Sequence, residues 1–130
     1  MSARILVIED DQAVVHFVAH ALTTRGHEPR VVTNALDGVR TAVEERPDLI
    51  LAGLSLPEMD GYELVTAIRN QPGMESMKVL ALAASADGGA PSRDGSGFDG
   101  WISNLRDPER FIEGLATFLP QTGGEPDTAA

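Results

Sequence analysis

Three short stretches constrain this chain more than anything else in it. Ile5-Leu6-Val7-Ile8, Leu49 to Leu54 and Val79 to Ala84 are apolar runs with no polar side chain to turn toward water. Each is too short for a buried helix, and the first stops abruptly at Glu9-Asp10-Asp11. A strand that is apolar on both faces needs cover on both faces, which is the condition of a parallel sheet sandwiched between helices. Val31-Val32 adds a weaker strand, and Gly100 to Ser103 a short fifth one.

Helical stripes alternate with these runs. Val14, Phe17, Val18, Ala21 and Leu22 recur at helical spacing, with Asp11 placed to cap the helix and Gly26 to stop it. Val39, Ala42 and Val43 mark a short helix closed by Glu45-Arg46-Pro47. Leu64, Val65 and Ile68 follow a turn at Pro57 and Asp60-Gly61 and end near Pro72-Gly73. In the last helix Asp107 caps, Pro108 takes the first helical position, and Phe111, Ile112, Leu115, Phe118 and Leu119 face one way. The reading is an α/β, doubly wound, five-stranded parallel sheet over residues 1–120, with 121–130 a polar tail. In such open sheets the working crevice lies beyond the carboxyl ends of the strands.

One stretch breaks the alternation. A helix is due between the fourth and fifth strands, yet Ser85 to Gly97 holds four glycines and a proline and no Leu, Ile, Val or Phe. Interior glycine costs about 1 kcal/mol and interior proline about 3 relative to alanine, with no apolar stripe to offset them. That helix is expected to be missing or disordered.

Charge and composition exclude whole classes of function. A chain of 130 residues with 42% apolar and 23% charged residues is one ordinary domain. Twenty acids against ten bases give a net charge of −10, which repels phosphate backbones and argues against nucleic acid as a partner. With no cysteine, thiolate metal sites and thiol nucleophiles are ruled out. No apolar run approaches the roughly 18 residues that span a bilayer, and the N-terminal run is too short for a secretory segment, so a cytoplasmic protein is expected.

ILVIEDD at 5–11, PDLIL at 47–51, LPEMDGYEL at 56–64, VLALAA at 79–84 and GFDGWI at 97–102, in that order, resemble the receiver domain of two-component response regulators. The resemblance implies a flavodoxin-like receiver fold. It also implies an acidic pair for Mg²⁺ after the first strand and an aspartate at the tip of the third that accepts a phosphoryl group. A hydroxyl after the fourth strand and a lysine after the fifth would hold the phosphoryl oxygens.

Laid on that pattern, the acidic pair is Glu9 and Asp10. The acceptor position, four before Pro57, is Gly53; the hydroxyl position is Ala83; the lysine position is Asn104; and the switch-position aromatic is Trp101. Glycine has no side chain with which to attack phosphorus. Loss of one negative charge at Gly53 and one positive at Asn104 nearly cancel, so the paired change is better tolerated than either alone. The resemblance is therefore to a degenerate, pseudo-receiver form without catalytic residues.

The remaining chemistry-bearing residues weigh less. Glu9 and Asp10 read as a solvated acidic rim, with weak Mg²⁺ or Ca²⁺ binding as the other reading and no further cofactor expected. Asp48 lies at the wrong end of its strand, and Ser55 has no base beside it. His16 and His20 stand at i, i+4, a metal-like spacing, but point to solvent with no third ligand evident. The expected function is phosphorylation-independent signalling or scaffolding by protein–protein binding in a phosphorelay, by a monomer or weak homodimer. Its partner would be a histidine kinase, a phosphotransferase or an output protein, meeting the first helix or a loop around Ser85, Asp87, Arg93 and Asp94. The alternative is a small-ligand or metal sensor using the vacated pocket.

Overall fold

In a computed structural model, the chain is described over residues 3–54, 56, 59–82, 97–102 and 105–119. Five strands, β1 (Arg4–Ile8), β2 (Glu28–Val32), β3 (Leu49–Gly53), β4 (Val79–Leu82) and β5 (Gly100–Ile102), form one sheet in the order β2-β1-β3-β4-β5. Every neighbouring pair is parallel. Four helices are described: α1 (Gln12–Thr24), α2 (Ala35–Glu45), α3 (Gly61–Arg69) and α4 (Pro108–Ala116).

The apolar runs are continuous because successive side chains feed two different cores. Ile5, Val7, Leu49, Leu51, Leu80, Leu82 and Ile102 pack against Val18, Leu22, Phe111 and Leu115 of α1 and α4. Their neighbours Leu6, Ile8, Ile50, Ala52 and Val79 pack against Ala42, Leu64, Val65 and Ile68 of α2 and α3. An edge contact between Phe17 and Phe111, with ring centroids 5.6 Å apart, ties α1 to α4. Every residue of β3 and β4 is buried, whereas no residue of the edge strand β2 is more than half-buried.

Local chemistry sets the helix boundaries. Asp11 accepts from the N–H groups of Ala13 and Val14, and Asp107 from those of Glu109 and Arg110, with Pro108 at the first helical position. Gly26, at φ +83°, turns the chain out of α1. Three details exceed the sequence reading. α2 begins earlier than its apolar stripe, because Asn34 caps it at the Asp37 N–H. Asp60 is the cap of α3 and forms a reciprocal box with Glu63. Arg46 adopts a left-handed conformation (φ 46°) to end α2 before Pro47, while the Arg4 guanidinium donates to the carbonyls of Glu45 and Arg46.

Arg69, at the end of α3, holds the other flank. Its guanidinium donates to the Gly97 carbonyl at 2.7 and 3.0 Å and to the Glu75 carbonyl at 3.0 Å, and it pairs with Asp99 at 2.9 Å. Asp99 also accepts from the Val79 N–H, so one ion pair joins α3, the start of β4 and the approach to β5. Among the described residues no helix is long and apolar enough to cross a membrane. The gap expected at 85–97 falls, except for Gly97, outside the described residues, as do Ser55 and the tail.

Replacing Arg69 by alanine removes the donors to the Gly97 and Glu75 carbonyls and leaves Asp99 without its cation, with only the Val79 N–H to accept from. The expected loss is about 1–3 kcal/mol in urea unfolding, with faster amide exchange at Val79 and Asp99. A change within about 0.5 kcal/mol would show that strand pairing alone holds this edge.

Candidate functional site

The carboxyl ends of the strands place their following residues side by side. Ile8 pairs with Ala52, and Gly53 with Leu82, so Glu9 and Gly53 are neighbours across the β1–β3 seam. The Glu9 N–H donates to the Val32 carbonyl, which continues the ladder one residue past β1 and fixes the glutamate at the sheet edge.

The Glu9 side chain turns inward. Its Oε2 accepts from the backbone N–H groups of Asp10 (3.1 Å) and Asp11 (3.0 Å). Its Oε1 lies only 2.6 Å from where a β-carbon at position 53 would be, with Cδ at 3.0 Å and Oε2 at 3.3 Å. The Glu9 carboxylate therefore occupies the volume a side chain on Gly53 would take. Glu9 is 5% exposed, one of two buried polar residues among those described, the other being Thr41. Burial pushes its carboxyl above the ordinary value of 4.5, Asp10's charge adds to this, and the two N–H donors act in the opposite direction.

The backbone at Gly53 does not itself demand a glycine. Its φ is not among the positive values, which among described glycines occur at Gly26, Gly73 and Gly97. Side-chain space, not a backbone angle, is what the position lacks. A second close approach reinforces it: Gly61 donates its N–H to the Leu54 carbonyl at 2.9 Å. A β-carbon at Gly61 would come within 2.6 Å of the Gly53 carbonyl oxygen. The β3 tip is thus gripped by Glu9 on one side and the first turn of α3 on the other.

Asp10 and Asp11 stay exposed on the rim, and Asp11's carboxylate is engaged in capping α1. Among the described residues no group of three or more His, Asp or Glu converges as a metal site. Mg²⁺ favours near-octahedral oxygen donors. Glu9 as placed directs one oxygen at backbone N–H groups and the other at Gly53, so it does not fit that donor set. Ala83, Asn104, Ser85, Asp87, Arg93 and Asp94 lie outside the described residues. Asp48 sits at the entry of β3, accepting from the Arg4 N–H, far from the carboxyl edge. Trp101 is on β5 opposite Ala81 and is 48% exposed. The sequence reading missed that Glu9 covers Gly53. A glutamate, one methylene longer than aspartate, beside a glycine on the adjacent strand was the available signal.

Residues 5–93 match a family described as Response regulator receiver domain. The chain is 28% identical over 120 residues to the polar-differentiation response regulator DivK of Brucella anthropi, across 92% of this chain and 98% of that protein. It is 33% identical over 86 residues to the transcriptional regulatory protein PrrA of Mycobacterium tuberculosis, across 66% of this chain but only 37% of that longer protein. Among solved structures, the chemotaxis response regulator CheY4 of Vibrio cholerae superposes with a TM-score of 0.79 at 24% identity, covering 92% of this chain and all (100%) of that one.

Because Glu9's carboxyl is raised by folding, its contribution to stability is fully present below 4.5 and is lost as pH rises through the raised value. Glu9→Gln removes that titration but keeps an acceptor for the two N–H groups. The stability of this variant relative to wild type should therefore climb between acid and neutral pH in paired urea titrations. A flat or falling difference would show that the two N–H bonds outweigh burial.

Proposed function

The chain belongs to the response regulator receiver family, and from that premise we propose that it signals by protein contact without accepting a phosphoryl group. Receiver domains of two-component systems are signalling modules that act with histidine kinases and other proteins. The observation that carries the proposal is the pairing of Gly53 with Glu9. The family's acceptor position bears no side chain, and the space in front of it is filled by a carboxylate hydrogen-bonded to the backbone N–H groups of the two residues that follow it.

The chemistry of transfer supports the same reading. A carboxylate nucleophile needs a lone pair aimed at phosphorus and cations to neutralise the developing charge. Glu9 is sequestered, and Ala83 and Asn104, at the family's hydroxyl and lysine positions, have no hydroxyl and no ammonium. A small-ligand sensor built on the vacated pocket is less favoured, because the Glu9 carboxylate takes up the space at Gly53 that a ligand would use. The partner proposed is a protein of a phosphorelay: a histidine kinase, a phosphotransferase or an output protein.

Incubation with acetyl phosphate and Mg²⁺, followed by intact-mass measurement, should show no phosphoryl adduct. A stoichiometric acid-labile adduct on the wild-type chain overturns the proposal. Gly53→Asp must displace the Glu9 carboxylate, the flexible end of its side chain, and is expected to fold. It should give at most slow labelling and no phosphorylation-dependent change in Trp101 fluorescence, since positions 83 and 104 remain alanine and asparagine. A full switching response in that single variant would remove the role assigned to those two positions.

A further inference from the structure

Helix α1 differs from the other helices in its charge. Gln12–Thr24 contains no Asp, Glu, Lys or Arg. By contrast α2 carries Asp37, Arg40, Glu44 and Glu45, α3 carries Glu63 and Arg69, and α4 carries Glu109, Arg110 and Glu113. In a chain of net charge −10, this is the described helix face on which a second copy can approach without like-charge repulsion.

His16 and His20 sit at the centre of that face. At about 100° per residue they fall roughly 20° either side of the line opposite Val18, the residue α1 buries completely. Both are exposed, and among the described residues neither takes part in a hydrogen bond, ion pair or ring contact. The third histidine is different: His27 Nδ1 accepts from the Ala3 N–H at 3.1 Å. Two imidazoles one turn apart, with β-carbons roughly 5–6 Å from one another, can close on a single ion. Two ligands leave a tetrahedral ion half coordinated, and no other described His, Asp or Glu completes the set.

A second copy completes it by symmetry. A two-fold axis crossing α1 level with Val18 sets His16 against the partner subunit's His20, and His20 against the partner subunit's His16. The same axis runs the two helices antiparallel, so opposed helix dipoles meet at both ends. Gln12, Ala13, Thr23 and Thr24, the other exposed positions around the histidines, are uncharged and mostly short.

We propose that two copies of this chain assemble antiparallel through α1 around one Zn²⁺ held by His16 and His20 of each. Zinc is the borderline divalent ion that takes four imidazole nitrogens in tetrahedral geometry. The site is built on α1 and is independent of Gly53 and Glu9, so it stands apart from the reading that the receiver works without phosphate.

The test uses the full chain freed of any affinity tag, with ZnCl₂ or EDTA as the only variable. Light scattering behind a sizing column should give the 13.8 kDa monomer in EDTA. With zinc it should give twice that mass, with one ion per two chains by elemental analysis. His16→Gln and His20→Gln, each on the solvent side of α1 and expected to leave the circular dichroism spectrum unchanged, should each weaken zinc-driven dimerisation by about tenfold or more. The double variant should remain monomeric. The proposal is overturned if zinc leaves the mass monomeric, if the dimer forms equally in EDTA, or if the double variant dimerises with zinc as the wild type does.

Discussion

The burial of β1, β3 and β4 on both faces governs this molecule. Alternate side chains of these strands enter separate cores, one under α1 and α4 and one under α2 and α3, and neither core can be given up to water. Parallel pairing follows from it, since a crossover helix is what returns the chain to the same edge and supplies the cover. Polar groups are driven to the strand ends. The carboxyl edge is where Glu9, Asp10 and Gly53 come together, and the opposite edge is where Arg4 and Asp48 lock β1 to β3.

At the carboxyl edge a carboxylate substitutes for a missing side chain. The close contact of Glu9 with the empty side of Gly53 fills what would be a void beside two buried strands. The Asp10 and Asp11 N–H groups keep the carboxylate satisfied despite its burial. The contact signalling proposed above suits such a site, because the Glu9 carboxylate stands in front of a position that bears no side chain.

Much of the architecture was legible from residue order. Ile5 to Ile8, Leu49 to Leu54 and Val79 to Ala84 announced strands covered on both faces, and Asp11 and Asp107 announced two helix starts, all of which the structure contains. Boundaries set by side-chain hydrogen bonds were harder to read. Asn34 caps α2 so that it begins at Ala35, four residues before Val39, the first member of its apolar stripe. Arg69 reaches Gly97 and Asp99 across about thirty positions of sequence, and no periodicity reports a contact at that distance. The histidine pair was visible as a spacing, but its placement on the helix that alone among those described carries no charged side chain gains meaning only when two copies are considered.

The sequence by itself determined that a sheet would form, which edge would carry the polar residues, and that position 53 could not be a nucleophile. Those conclusions follow from side-chain identity and near-neighbour spacing, which need no coordinates. Where the Glu9 carboxylate would go was decided only by the tertiary structure. A glutamate at a strand end can turn to water or inward, and the choice depends on the volume left by a glycine forty-four residues away and on two N–H groups presented by the turn into α1. That balance between desolvation and local hydrogen bonds exists only once β1 and β3 lie side by side.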